Sequence, residues 1–332
     1  MLVNEKKIKR NNYIALGSFD GLHKGHLELI KKVVSLANKN KGKSIVYTFK
    51  NHPKTVLNPE FKLNILMDNE NKEEILKRHN VDLVYFEEFN KDFMEKSPKD
   101  FIKYILEKFE LRGIVVGFNY RFGYKNIGNT NMLKELGKEF GFEVFIIEPC
   151  KYNGSIVSST RIREELLKGN IEDAKNMLTR PYFLSGQVVS GKQIGRTIGF
   201  PTANLKTEEK FLLPKEGVYY TNVFWNNNIY KAITSIGSNP TVNGQKITVE
   251  SHILDFNENI YGDKINVKFI KKIRNNIKFN SIEELKMQLS HDKIFAEEQI
   301  GWCHAFESIG SDFVLDVKKN CKKDLQYWCV LL

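Results

Sequence analysis

The sequence predicts a parallel α/β domain followed by a small antiparallel β-barrel with a C-terminal helix. Three observations carry that expectation. Residues 12–180 alternate short apolar runs with amphipathic ones. From residue 182 the runs become strand-like, with no helical pattern between them until about residue 281. A glycine- and histidine-rich turn, Gly17-Ser18-Phe19-Asp20-Gly21-Leu22-His23-Lys24-Gly25-His26, falls where the first strand gives way to the first helix. Alternation of the first kind puts helices on both faces of a parallel sheet. Successive short strands joined by turn residues close into a barrel.

Strands are expected over 13–16, 44–49, 81–86, 113–117 and 142–148. The first helix buries Leu27, Ile30, Val34 and Ala37, at helical spacing. A later helix opens at Ser97-Pro98-Lys99-Asp100, with a capping serine, proline at the first helical position and an acid in the first turn. Another opens at Ser158-Ser159-Thr160-Arg161-Ile162-Arg163; with Ser159 as the cap, Arg163 falls one turn on, on the same side. Gly169-Asn170 ends that helix and caps the next, and Thr179-Arg180-Pro181 punctuates the chain. Barrel strands are expected over 183–190, 217–225, 229–236, 247–255 and 264–271, and a capping box at Ser281–Glu284 opens the closing helix. The expected domains are 1–180, 181–300 and an atypical tail, 301–332, that holds two of the three tryptophans and three of the four cysteines.

Composition narrows the function. The chain has 332 residues, 41% hydrophobic and 27% charged, which is the balance of a soluble globular protein. No apolar run approaches a membrane span and the start has no signal-peptide core, so a cytoplasmic protein without a membrane partner is expected. The net charge of +11 raises nucleic acid as a partner. The lysines are scattered, however, with no basic stripe among stacking aromatics, so no nucleic-acid partner is expected. No C-x-x-C pair points to zinc, and the cysteines are expected as free thiols.

Two histidines and three glycines at a strand-to-helix turn suit a polyphosphate, because a helix N-terminus presents unpaired N–H groups and partial positive charge. Ligands of parallel sheets bind beyond the carboxyl ends of the strands. Val116-Gly117-Phe118-Asn119-Tyr120-Arg121-Phe122-Gly123 reaches that edge too, and Ser158 to Arg163 open a second anion site at a helix N-terminus. In the second half, Gly191-Lys192-Gln193-Ile194-Gly195-Arg196 can fold over phosphates. The Thr202 hydroxyl and the Asn204 amide oxygen are hard ligands suited to Mg²⁺. Glu250 and His252 share one face of a strand.

His-x-Gly-His resembles the signature of the nucleotidyltransferase superfamily. Together with Val-Gly-Phe-Asn-Tyr-Arg-Phe-Gly, Ser-Ser-Thr-Arg-Ile-Arg, Gly-Phe-Pro-Thr-Ala-Asn at 199–204 and Val-Glu-Ser-His-Ile at 249–253, it resembles the prokaryotic bifunctional riboflavin kinase/FAD synthetase family over about nine-tenths of the chain. The resemblance implies a Rossmann-like adenylyltransferase half and a riboflavin kinase barrel, with riboflavin, FMN and ATP as substrates and Mg²⁺ as cofactor. It implies catalytic roles for His23, His26, Arg163 and Glu250. ATP or phosphate binding falls to Gly17, Phe19, Asp20, Gly25, Asn119, Ser159, Thr160, Arg161, Gly191, Lys192, Gly195 and Arg196, and Mg²⁺ binding to Thr202 and Asn204. The family often carries Asp where Asn119 stands. Two other readings stay open: a kinase whose first half has lost adenylylation, and a flavin- or nucleotide-binding regulator. Oligomeric state is left open by the sequence.

Overall fold

The structure is a computed structural model that describes residues 11–51, 56, 64–191, 194–208, 210–241 and 244–299. Lys192 and Gln193 of the glycine-rich loop and the 301–332 tail lie outside the described residues.

Five parallel strands form the first sheet: β1 (Asn12–Leu16), β2 (Ser44–Phe49), β3 (Leu83–Glu87), β4 (Leu111–Gly117) and β5 (Glu143–Ile147), in the order β3-β2-β1-β4-β5. Both faces of β1 are buried, as expected of a parallel sheet with helices on either side. Tyr13 and Ala15 pack with Ile30, Val33 and Ala37 of helix Lys24–Lys39. Ile14 and Leu16 pack with Ile102, Ile105 and Leu133 of helices Pro98–Phe109 and Thr130–Phe140. The strand order reverses between β1 and β4, and such a switch point opens a crevice at the strand ends.

A short hairpin, β6 (Lys151–Tyr152) with β7 (Ser155–Ile156), precedes helices Ser159–Lys168 and Ile171–Leu178. Ser158, not Ser159, caps the first of these, accepting from the Arg161 amide at 3.2 Å. Gly169 ends it in left-handed backbone as expected, but Asn170 gives the next helix no side-chain cap, because its amide turns back to Glu165 at 2.6 Å.

The second half is a closed antiparallel barrel of β8 (Tyr182–Val189), β9 (Ala203–Lys206), β10 (Gly217–Trp225), β11 (Asn228–Thr241), β12 (Gly244–Ile253) and β13 (Lys264–Arg274), in the order β10-β11-β12-β9-β8-β13. Strand β9 is an addition to the expected set. Helix Ile282–Glu298 lays Ala296 over Val218, Tyr220 and Ile233 on the outer barrel face. Inside, a chain of hydroxyls links Thr221 to Thr234 at 2.7 Å and Thr234 to Ser251 at 2.8 Å, satisfying three buried polar groups.

The two halves share a core. Ile162, Leu166, Ile171 and Met177, which precede the expected boundary at 180, bury their side chains in one cluster with barrel residues Leu184, Leu205, Tyr219 and Phe269. Leu66 joins the same cluster. Next to it, Ile65 donates to Lys210 O at 2.7 Å and accepts from Leu212 N at 3.0 Å. Asn71 donates to Ser185 Oγ at 3.1 Å across the same seam.

Candidate functional sites

The histidine turn sits at the switch point, beside a cavity of about 710 Å³. His23 is the N-cap of helix Lys24–Lys39; its Nδ1 accepts from the His26 amide at 3.3 Å. That bond leaves the ring proton of a neutral His23 on Nε2, a donor available to a ligand. The two imidazoles stack at 3.6 Å with 16° between planes, and the Phe19 ring stands edge-on to His26 at 5.2 Å. Gly25 leaves room beside this stack: a Cβ there would crowd the His23 ring at 3.2 Å. Burial holds His23's pKa down at about 4, with Arg180 adding to the effect. Burial lowers His26 too, with His23, Lys72 and Arg180 adding. Both rings are therefore neutral at physiological pH. His26 Nδ1 is enclosed and has no hydrogen-bond partner among the described residues.

The backbone of the turn is held from behind. Ser18 O accepts from Thr48 Oγ1 at 2.9 Å and Lys72 Nζ at 3.1 Å. Phe19 O accepts from Leu22 N at 3.4 Å, and Asp20 O from Ser159 Oγ at 2.9 Å. Gly21 O and Leu22 O accept from Arg180 at 2.6 and 3.0 Å. Every carbonyl from Ser18 to Leu22 is thus taken by a protein donor, which leaves the N–H end of the helix to face an anion. Lys72 is 5% exposed, and burial lowers its pKa to about 8 against the pull of Asp20 and Asp68.

Gly17, Phe19, His23, Gly25, His26, Asn119, Ser159 and Thr160 all line the cavity. Three other expected residues do not. Asp20 is buried, accepting from Leu66 N at 3.0 Å and pairing with Arg163. Arg163 also donates to Asn64 O at 2.9 Å. Arg161 donates to Tyr152 O and Ser155 O of the β6–β7 hairpin, at 2.9 and 3.0 Å. In this arrangement both arginines bind protein groups, and among the described residues the cations lining the cavity are Lys96, Arg121 and Lys125. Phe49, Phe93, Phe118, Tyr120 and Tyr124 contribute an aromatic wall.

The second site lies on the barrel. Glu250 on β12 stands directly opposite Asn204 on β9, so the two side chains share a face. Thr202 Oγ1 donates to Glu250 Oε2 at 3.5 Å and Thr248 Oγ1 to Oε1 at 3.3 Å. His252 Nδ1 lies 2.8 Å from Pro201 O, which ties the segment carrying Thr202 to β12. Burial lowers His252's pKa, so it donates as a neutral ring. A cavity of about 330 Å³ opens beside Thr202, lined by Arg196, Ser251 and Tyr261 among others. Gly195 and Arg196 belong to a single helical turn, Ile194–Thr197, and Gly191 packs on the Asn204 amide. Thr202, Asn204 and Glu250 bring together hydroxyl, amide and carboxylate oxygens.

Sequence reasoning missed Lys72, Arg180 and Thr248 as supports. Lys72 and Arg180 lie 54 and 158 residues from the carbonyls they hold, so no local pattern signals them.

A family description of FAD synthetases matches residues 5–161, and one of riboflavin kinases matches residues 178–300. A bifunctional riboflavin kinase/FMN adenylyltransferase of Buchnera aphidicola (from Schizaphis graminum) is 36% identical over 295 residues, 87% of this chain and 94% of that protein. The Listeria monocytogenes protein of the same name is 36% identical over 285 residues, 85% of this chain and 90% of its own. A solved structure titled a macrolide-efflux protein, from Streptococcus pneumoniae, superposes with a TM-score of 0.81 at 34% identity, over 87% of this chain and 94% of that one. Among the described residues no helix is long and apolar enough to cross a membrane. The parallel sheet, the closed barrel and both sets of motifs accord with the two family matches, and the chain belongs to the bifunctional riboflavin kinase/FMN adenylyltransferase family.

Proposed function

We propose that residues 181–300 phosphorylate riboflavin to FMN and that residues 1–180 join FMN to AMP, giving FAD and pyrophosphate. The observation that carries the adenylyl-transfer half is the stacked, neutral pair His23 and His26 at a helix mouth whose turn carbonyls are all engaged elsewhere. FMN supplies a phosphate oxygen that is already anionic, so no general base is needed. That oxygen bonds to the α-phosphorus of ATP as the bond to the bridging oxygen of pyrophosphate breaks. His23 Nε2–H and the helix amides donate to the charge that develops, and preorganised donors of this kind supply most of the acceleration. The aromatic wall fits the planar flavin ring.

Riboflavin's terminal ribityl hydroxyl is neutral and needs a base. Glu250 takes its proton as the oxygen bonds to the γ-phosphorus of ATP and ADP leaves. The Thr202 hydroxyl and the Asn204 amide oxygen fit Mg²⁺, which favours few protein ligands and completes its shell with phosphate and water. Thr202 and Asn204 would hold it, and when bound it neutralises charge on the transferring phosphoryl group. The reading also assigns the enzyme to the cytoplasm, with small molecules rather than nucleic acid as partners.

Purified protein, riboflavin, ATP and Mg²⁺ are mixed, and the flavins are resolved by chromatography. FMN and FAD both accumulate on this reading. FMN alone would leave a kinase with an inactive first half, and neither product would leave a flavin binder.

A further inference from the structure

Arg180 stands just past helix Ile171–Leu178, where Thr179 takes left-handed backbone (φ +63°) and the chain turns into the barrel. It does not line the cavity beside the histidines. Its Nη2 donates to Gly21 O at 2.6 Å, and its Nη1 donates to Leu22 O and to Leu178 O, both at 3.0 Å. Gly21 and Leu22 are the two residues before His23.

Their backbone is unusual. Phe19, Gly21 and Leu22 have φ of +50°, +78° and +41°. Leu22 in particular carries a branched apolar side chain in a left-handed region that is strained for an L-residue. Such a conformation persists only where its surroundings over-determine it. Relaxation of Leu22 would swing its carbonyl and displace the next residue, His23. It would also free a carbonyl dipole close to where a polyphosphate would lie. One guanidinium holds both carbonyls and pins them to the helix end at Leu178. An ammonium is a point donor and lacks the fork that spans successive carbonyls.

We propose that Arg180 is a positioning residue for adenylyl transfer: it fixes the Gly21 and Leu22 carbonyls and thereby the place of His23. The inference rests on reading the histidine turn as the adenylyl-transfer site. It assigns a part in adenylyl transfer to the segment that leads into the barrel.

The test uses the full chain with Arg180→Ala and Arg180→Lys. FMN-to-FAD and riboflavin-to-FMN rates are measured on the same preparations, with melting curves, and His26→Ala is run alongside. A displacement of about 1 Å at a reacting group costs on the order of a hundredfold, so Arg180→Ala should lower kcat for FAD formation by about that factor, with KM for FMN and ATP changed less than about threefold. Riboflavin phosphorylation should be unchanged, Arg180→Lys should fall between, and added methylguanidinium should recover part of the Arg180→Ala loss. An Arg180→Ala enzyme with wild-type kcat for FAD would overturn the inference while leaving the histidine reading intact. Equal losses in both reactions, with lowered melting temperatures in both variants, would make Arg180 a structural tie and also overturn it. FAD formation that survives His26→Ala would overturn the reading of the turn, and this inference with it.

Discussion

His23 makes acid sensitivity a direct readout of how the turn is built. Its imidazole is 7% exposed, and burial, aided by Arg180, holds its pKa at about 4 where an unfolded chain has 6.5. Between those values the unfolded chain takes up a proton that the folded chain refuses. The stabilisation is therefore complete above pH 6.5 and is lost as pH falls toward 4. Each pH unit across that window removes about 1.4 kcal/mol, and the whole window about 3 kcal/mol. His26, His79 and His252 are lowered as well and act in the same direction, so wild type alone cannot isolate His23. The variant His23→Asn can, because its amide oxygen can accept from the His26 amide as Nδ1 does, and it does not titrate. Urea unfolding followed by circular dichroism should give stabilities within about 1 kcal/mol of each other at neutral pH. At about pH 5 the wild type should have lost about 2 kcal/mol more than the variant. Parallel losses would mean that His23 titrates alike in both states, and the turn would not be keeping it neutral.

Three further outcomes are expected. Glu250→Gln should slow riboflavin phosphorylation by about two to four orders of magnitude while FMN supplied directly still becomes FAD; an unchanged kinase rate would make Glu250 a structural strand residue. Asp20→Ala leaves the Arg163 guanidinium, 18% exposed, without its carboxylate. It should cost about 3–5 kcal/mol in urea unfolding, and a loss below about 1 kcal/mol would show a solvent-screened pair. Deleting residues 301–332, beyond the riboflavin kinase match that ends at 300, should leave both activities and the melting temperature near wild type; a large fall in either would make the tail part of the enzyme.

Much of this was legible in the sequence, for a plain reason. The central parallel strands β1, β2 and β4 are short apolar runs buried on both faces, so composition alone marks them. The barrel strands carry alternation or aromatic and β-branched residues. Strand β9 alternates too, but Ala203-Asn204-Leu205-Lys206 is only four residues long, has no aromatic or β-branched side chain and follows a glycine-rich stretch, so its period is too short to read. The histidine turn was readable because its residues are contiguous. The destination of Arg161 and Arg163 was not. Helical spacing puts Ile162 and Leu166 inside, but it cannot say whether the flanking guanidinium groups reach outward to a phosphate or inward to carbonyls. That depends on the Tyr152–Ser155 turn, whose Asn153-Gly154 signals a hairpin but not which side chain meets its carbonyls, and on Asn64, which has no signal of its own.

The seam between the halves bears on how such enzymes could be recombined. A chimera joined at residue 180 would mate one relative's barrel with another's Ile162, Leu166 and Met177, side chains that fill the same buried volume. Mismatched shapes there would also shift residues 64–67, which bond the barrel on one side and the Asp20 carboxylate on the other. A kinase graft would then reach the histidine turn through Asp20. A crossover that carries 64–67 and 159–178 along with the barrel keeps the donor's packing whole, so the useful unit of exchange is discontinuous in the chain.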